Sequence, residues 1–311
     1  VSLHPEAEAL LGALSAAGLP PFEHMTVPQA RGAALGFLPL QGEPEEIGQV
    51  EHLTVDGPAG DIPIRVYAPA GTGPFPVIVY FHGGGWVIGD LDVVDTPLRN
   101  LAHNVRAVVV SVGYRRAPES RFPAAFDDCL AATEWAAKIA ADYKGDPSRL
   151  VVAGDSAGGN LAAGVSLAAH ESGSVAIAAQ VLLYPVTDFD FTRESYIENA
   201  EGKLLTPASM QWFWAHYLGA ADFEEGTYAL PNRVENLAGL PPAFVATAEC
   251  DVLRDEGEAY AARLDEAGVL TQTKRYEGMI HGFFWALGAL PSGAAIYSDI
   301  AQFLDKVLPE K

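Results

Sequence analysis

Five short, nearly continuous apolar runs constrain this chain more than any other feature: residues 76–81 (PVIVYF), 107–111 (AVVVS), 150–154 (LVVAG), 179–184 (AQVLLY) and 243–248 (AFVATA). They do not alternate apolar with polar, so both faces of each run are buried, as in the central strands of a parallel sheet. Helical stretches at 123–142, 156–170 and 255–267 separate them. Strands alternating with helices predict an open α/β sheet, with ligands bound beyond the carboxyl ends of its strands. Residues 49–56 and 62–68 alternate instead, around Gly57-Pro58-Ala59-Gly60, which predicts an exposed hairpin. The strand-like TQTKRYEG (271–278) completes a set of eight.

The 311 residues, 49% hydrophobic and 19% charged, suit one α/β domain with an added lid. A formal charge of −21, from 40 acidic against 19 basic residues, argues against nucleic acid and anionic membrane surfaces as partners. The acids are scattered, as on a soluble, self-repelling surface. No apolar stretch reaches the roughly 18–20 residues of a membrane span, so no membrane insertion is expected. Residues 1–19 lack the basic start, apolar core and cleavage site of a signal peptide, so none is expected. Cys129 and Cys250 form neither a metal spacing nor a disulfide framework, which points to a reducing compartment, the cytoplasm.

The alternation fails in two places. Residues 1–48 read as helical pieces broken at Leu19-Pro20-Pro21 and Gly42-Glu43-Pro44, and 189–235 contains no central strand. Within the second, Thr206-Pro207 is a helix start, with Thr as N-cap and Pro in the first turn. From there Met210, Phe213, Trp214 and Tyr217 share one helical face. The two segments are expected to form a helical cap over an α/β domain made of 49–188 and 236–311.

Gly154-Asp155-Ser156-Ala157-Gly158 follows one strand directly and opens one helix. A serine there sits on a tight strand-to-helix turn, with free N–H groups and the positive end of the helix dipole beside it. Phe81-His82-Gly83-Gly84-Gly85-Trp86 ends the third strand, and its glycines allow backbone N–H groups to point at a substrate oxygen. It lacks the Lys-Ser/Thr ending of a phosphate loop. Together they suggest a nucleophile and an oxyanion hole, which need a base and an acid. Three of the eight histidines follow Ser156. His170 ends the helix that begins there, about 20 Å away at 1.5 Å per residue. His216 lies in the proposed cap helix, whereas His281 stands at a strand's end in a Gly-flanked loop. Asp251 follows the strand AFVATAEC and is the favoured acid, with Glu249, Asp255 and Asp188 as rivals.

HGGGW, YRRAPESRFPAAFDD (114–128), GDSAGGNLA (154–162), CDVLRDEG (250–257) and IHGF (280–283) resemble the hormone-sensitive-lipase-like branch of the α/β-hydrolases, and within it the bacterial carboxylesterases with a GDSAG motif. The resemblance runs from about residue 50 onward. It implies the α/β-hydrolase fold, a mostly parallel eight-stranded central sheet flanked by helices, with a helical cap. It also implies hydrolysis of short- to medium-chain carboxylic esters, with Ser156, Asp251 and His281 as triad and the N–H groups of Gly83, Gly84 and Ala157 as oxyanion hole. No metal or organic cofactor is expected; the partner is a small ester, and a homodimer is left open. Leu205, Met210, Phe213 and Trp214 supply apolar surface either for substrate or for gluing the cap down. The resemblance favours Met210, Phe213 and Tyr184 as pocket residues. Two departures are Arg116, where the family usually has an apolar residue, and Ala229-Leu230-Pro231, which replaces a common Ser-Pro. The competing readings are an arylformamidase, a peptidase (whose usual propeller domain this length excludes) and a non-catalytic ligand-binding relative.

Overall fold

A computed structural model describes residues 2–18, 20–219 and 228–308. Helices α1 (Pro5–Ala16) and α2 (Val27–Ala34) precede a hairpin of β1 (Gln49–Gly57) and β2 (Gly60–Ala68). Then come β3 (Phe75–Phe81), α3 (Asp95–Val105), β4 (Val108–Val112), α4 (Ala124–Ile139), β5 (Gly145–Asp155), α5 (Ala157–Ser172) and β6 (Ala179–Leu183). The short α6 (Glu194–Glu198) and α7 (Pro207–Leu218) occupy the strandless interval. They are followed by β7 (Ala243–Cys250), α8 (Arg254–Glu266), β8 (Thr271–Ile280) and α9 (Ala295–Val307).

The eight strands form one sheet in the order β1-β2-β4-β3-β5-β6-β7-β8. Only β2 runs antiparallel to its neighbours; β3 through β8 are mutually parallel. This is the open α/β sheet that the apolar runs predict, in the α/β-hydrolase arrangement that the resemblance implies. Every residue of β3, β4 and β6 is buried, because helices cover both faces there. Strand β7 shows the two layers: Phe244 meets Phe303 of α9 on one face, while Thr247, three positions on, donates to Glu258 of α8 on the other. The hairpin strand β1, at the sheet's edge, is largely exposed.

Helices α3 and α9 lie outside the helical stretches expected from the pattern. Helix α9 carries a legible signal, since Ile296, Tyr297, Ile300, Phe303 and Leu304 recur at helical spacing and are all buried. Among the described residues, no helix is long and apolar enough to cross a membrane.

The strandless segments meet above the carboxyl ends of the strands. Thr206 Oγ1 accepts from the Ser209 N–H at 3.0 Å, so the expected N-cap of α7 is formed. Met210, Phe213, Trp214 and Tyr217 are buried on its inner face. Near the N-terminus, a short turn at Phe22–His24 packs on α7, with the Phe22 and Phe213 rings 5.3 Å apart. Helix α1 leans instead on β8, where the His4 N–H donates to the Gly278 carbonyl. Of the expected cap segment 189–235, residues 220–227 lie outside the described residues.

Candidate active site

Strand β5 ends at Asp155 and α5 begins at Ala157, so the whole turn between them falls on Ser156. Its φ of 55° and ψ of −119° lie where side-chain-bearing residues are rarely found. Surrounding bonds hold it there. The Ser156 N–H donates to the Leu183 carbonyl at 2.8 Å, and the Ser156 carbonyl accepts from Asn160 at 3.0 Å and Val186 at 3.1 Å. The flanking glycines are a matter of space: a β-carbon on Gly158 would overlap the Phe81 carbonyl, and one on Gly154 would strike the Gly158 carbonyl.

His281 lies one residue beyond β8. Its Nδ1 is 2.7 Å from Asp251 Oδ2, and its Nε2 is 2.9 Å from Ser156 Oγ. The Asp251 side chain is fully buried, and its Oδ1 accepts from the Leu253 N–H at 3.1 Å. With the Nδ1 proton directed at that carboxylate, Nε2 is left to accept the serine proton.

The rival acids are engaged elsewhere. Glu249 accepts from the Gly278 N–H at 2.7 Å, where the β7–β8 register breaks between Ala248 and Cys250. That irregularity sits just before Asp251 and His281, the usual place for a bulge that re-aims side chains. Asp255 takes the Ser195 N–H at 2.7 Å and Arg254 at 2.8 Å, and Asp188 is held by Arg193 at 2.6 Å and Arg233 at 2.7 Å. His170 is exposed at the far end of α5, and His216 stands edge-on to Trp212 on α7.

The glycine loop requires one correction. The N–H of Gly83, expected in the oxyanion hole, donates to Asp155 Oδ1 at 2.9 Å and cannot serve substrate as well. Gly84 and Gly85 instead line the cavity over Ser156, and the N–H groups of Gly84, Gly85 and Ala157 meet no acceptor among the described residues. Three consecutive glycines look alike in sequence; the course of the loop decides which two face inward. Behind it, the buried His82 stacks on Tyr114 at 4.3 Å, and burial pushes its pKa down to about 4, so the ring is neutral at pH 7. Burial pushes Asp155 up to about 6 against the opposing hydrogen bonds from Tyr80 and Gly83. Neither departure from the family pattern reaches the cavity: Arg116 donates to the Gly89 carbonyl, and the Ala229 carbonyl accepts from Asn160 at 2.9 Å.

A cavity of about 60 Å³ opens over Ser156. Leu205, Met210 and Phe213 line it, whereas Trp214 and Tyr184 do not. Trp214 packs on Trp86 at 4.5 Å and so fixes α7 to the body. Tyr184 is fully buried behind the imidazole, its ring 5.0 Å from that of His281. Trp214 thus takes the gluing role of the two left open for it, and Tyr184 departs from the expected pocket, because an aromatic on the inner side of an element can face the core as readily as the substrate. Phe22, Phe37, Ile88, Leu204 and Trp285 complete the apolar wall unforeseen. Only Trp285 carried a sequence signal, its nearness to His281.

The family described as having the α/β-hydrolase fold matches residues 78–285. The chain is 43% identical over 253 residues to carboxylesterase NlhH of Mycobacterium tuberculosis, covering 79% of each protein. It is 38% identical over 248 residues to an ethyl acetate hydrolase of Pseudomonas putida, covering 78% of this chain and 76% of that one. Among solved structures it resembles a thermostable esterase of Pseudomonas putida, with a TM-score of 0.92 and 39% identity, over 100% of this chain and 99% of that one.

Proposed function

The chain belongs to the hormone-sensitive-lipase-like branch of the α/β-hydrolases, and from that premise and the site's geometry we propose that it hydrolyses carboxylic esters through an acyl-enzyme on Ser156. The observation that carries the reading is the unbroken chain Ser156 Oγ, His281 Nε2, His281 Nδ1, Asp251 Oδ2, with links of 2.9 Å and 2.7 Å. His281 removes the serine proton as Oγ attacks the ester carbonyl, and Asp251 stabilises the imidazolium that forms. The N–H groups of Gly84, Gly85 and Ala157 receive the oxyanion. His281 then protonates the leaving alcohol and afterwards activates the water that releases the acid.

The cap is drawn from the N-terminal helical segment and residues 189–235, of which Phe22, Phe37, Leu204, Leu205, Met210 and Phe213 roof the cavity. The narrow space favours the short end of a short- to medium-chain acyl range. Two buried free cysteines support a reducing, cytoplasmic setting, and the charge of −21 supports the exclusion of nucleic acid. A homodimer that paired strands would use one of the two edges, β1 or β8, and sedimentation would test whether a second copy binds at all. For the reaction itself, Ser156→Ala is expected to abolish p-nitrophenyl butyrate hydrolysis while the protein still melts cooperatively. Turnover near that of the unmodified chain would overturn the reading.

A further inference from the structure

An oxyanion hole sets several N–H groups about 2.7–3.1 Å from one oxygen. Here those groups come from two strand ends, the glycine loop after β3 and the serine turn after β5. The sheet register aligns the strands themselves, with Phe81 opposite Gly154, and stops there. Beyond that point the Asp155 side chain joins the two segments. Asp155, the residue before Ser156, accepts at Oδ1 from the Gly83 N–H at 2.9 Å and from the Tyr80 hydroxyl at 2.8 Å. It is 2% exposed, and the triad makes no use of it. The loop is seated directly on it: a β-carbon on Gly83 would fall on Asp155 Oδ2 and lie 2.9 Å from the Asp155 carbonyl oxygen. Tyr80 is itself fully buried and stacked on Phe284, so the second donor is fixed from the strand side.

We propose that Asp155 is a positioning residue that clamps the oxyanion loop to the nucleophile turn. By holding the Gly83 peptide it sets the direction of the next two N–H groups, Gly84 and Gly85, against the same oxygen that Ala157 faces. The inference rests on the reading above, in which those groups bind the oxyanion. A carboxylate that only filled a polar hole beneath the loop would affect stability and leave transition-state binding alone.

Asp155→Ala, Asp155→Asn and Tyr80→Phe separate the two roles in the full chain. Asparagine keeps an oxygen for both donors; alanine removes it. With p-nitrophenyl butyrate, Asp155→Ala is expected to lower kcat by about 10²-fold with KM little changed, the loss typical of one displaced oxyanion donor. Asp155→Asn should recover most of that loss, and Tyr80→Phe should show a smaller one. Affinity for a trifluoromethyl ketone, which forms a tetrahedral oxyanion on the serine, should fall in step with kcat. A folded Asp155→Ala protein with unaltered kcat, or with lowered kcat and unaltered ketone affinity, overturns the proposal. If the alanine variant does not fold, Tyr80→Phe decides: no parallel loss of kcat and ketone affinity overturns it equally. Activity surviving in Ser156→Ala would instead sink the catalytic reading, so the two failures are distinguishable.

Discussion

The floor of the cavity, with Ser156 and His281, is carried on the ends of parallel strands; its roof, with Phe22, Leu205, Met210 and Phe213, is carried on helices and turns. Strand β5, which leads to Ser156, is hydrogen-bonded on both sides, and β8, which leads to His281, is paired along β7, so moving a floor residue means disturbing a ladder. Side chains hold the roof together with isolated backbone bonds, such as that from the Phe122 N–H to the Tyr217 carbonyl at 2.9 Å. Glu23 accepts from the Ser209 hydroxyl at 2.5 Å and joins the two cap segments. Arg31 pairs with Glu119 at 2.7 Å and donates to the carbonyls of Val87 and Ala117, which ties the N-terminal segment to the body. Asp188, gripped by Arg193 and Arg233, closes the neck of the second segment. The chemistry therefore has a rigid base, and substrate size is set by a part that can change without disturbing it.

The largest effect should come from the floor. Asp251→Asn is expected to lower kcat by about 10⁴-fold, because the amide cannot hold the imidazole in its working tautomer. A loss of only a few-fold, read with p-nitrophenyl butyrate, would mean that another carboxylate serves. On the roof, Phe213→Ala should leave butyrate turnover within a few-fold while raising octanoate over butyrate selectivity by about tenfold or more. An unchanged selectivity ratio would show that this wall does not set size.

A smaller effect is expected at the latch. Arg31→Ala should lower stability by about 1–2 kcal/mol, a melting shift of several degrees, since the pair with the well-exposed Glu119 contributes little while the carbonyls of the buried Val87 and Ala117 lose a donor. A loss several times larger would make the roof as integral as the floor.

The last prediction concerns the neck. Glu256 is fully buried and accepts from the Thr187 and Asp188 N–H groups at 2.8 and 3.3 Å. Burial pushes its pKa up to about 8. A carboxyl raised in the folded state favours folding below its ordinary pKa, and that contribution is lost as pH rises through about 8. Asp155, raised to about 6, adds a similar decline at lower pH. Glu256→Gln should therefore flatten the fall of melting temperature between about pH 4.5 and pH 8. An unaltered slope would assign the decline to other groups.

Much of this was legible in the chain. Apolar runs with no alternation announce strands buried on both faces, and their number and spacing lead to the sheet. Ser156 and His281 could be read because each ends a strand, and strand ends in such sheets share one edge. Asp251 could be ranked above Glu249 by position, although what Glu249 does at the β7–β8 irregularity could not. The roof was less legible. Helical spacing places Met210, Phe213, Trp214 and Tyr217 on one face, but that face meets both the cavity and the core, so Phe213 lines the site while Trp214 is packed against Trp86.

Sequence by itself determined the sheet, the turn that bears Ser156 and the histidine within reach of it, because local periodicity and glycine spacing fix backbone paths. Only the tertiary structure decided that Gly85 rather than Gly83 faces the cavity, that Phe22 and Phe37 help to roof it, and that Asp155 sits beneath the loop. Those outcomes depend on how segments far apart in the chain share one small volume, and no local pattern encodes which of several equivalent side chains or N–H groups will be turned toward it.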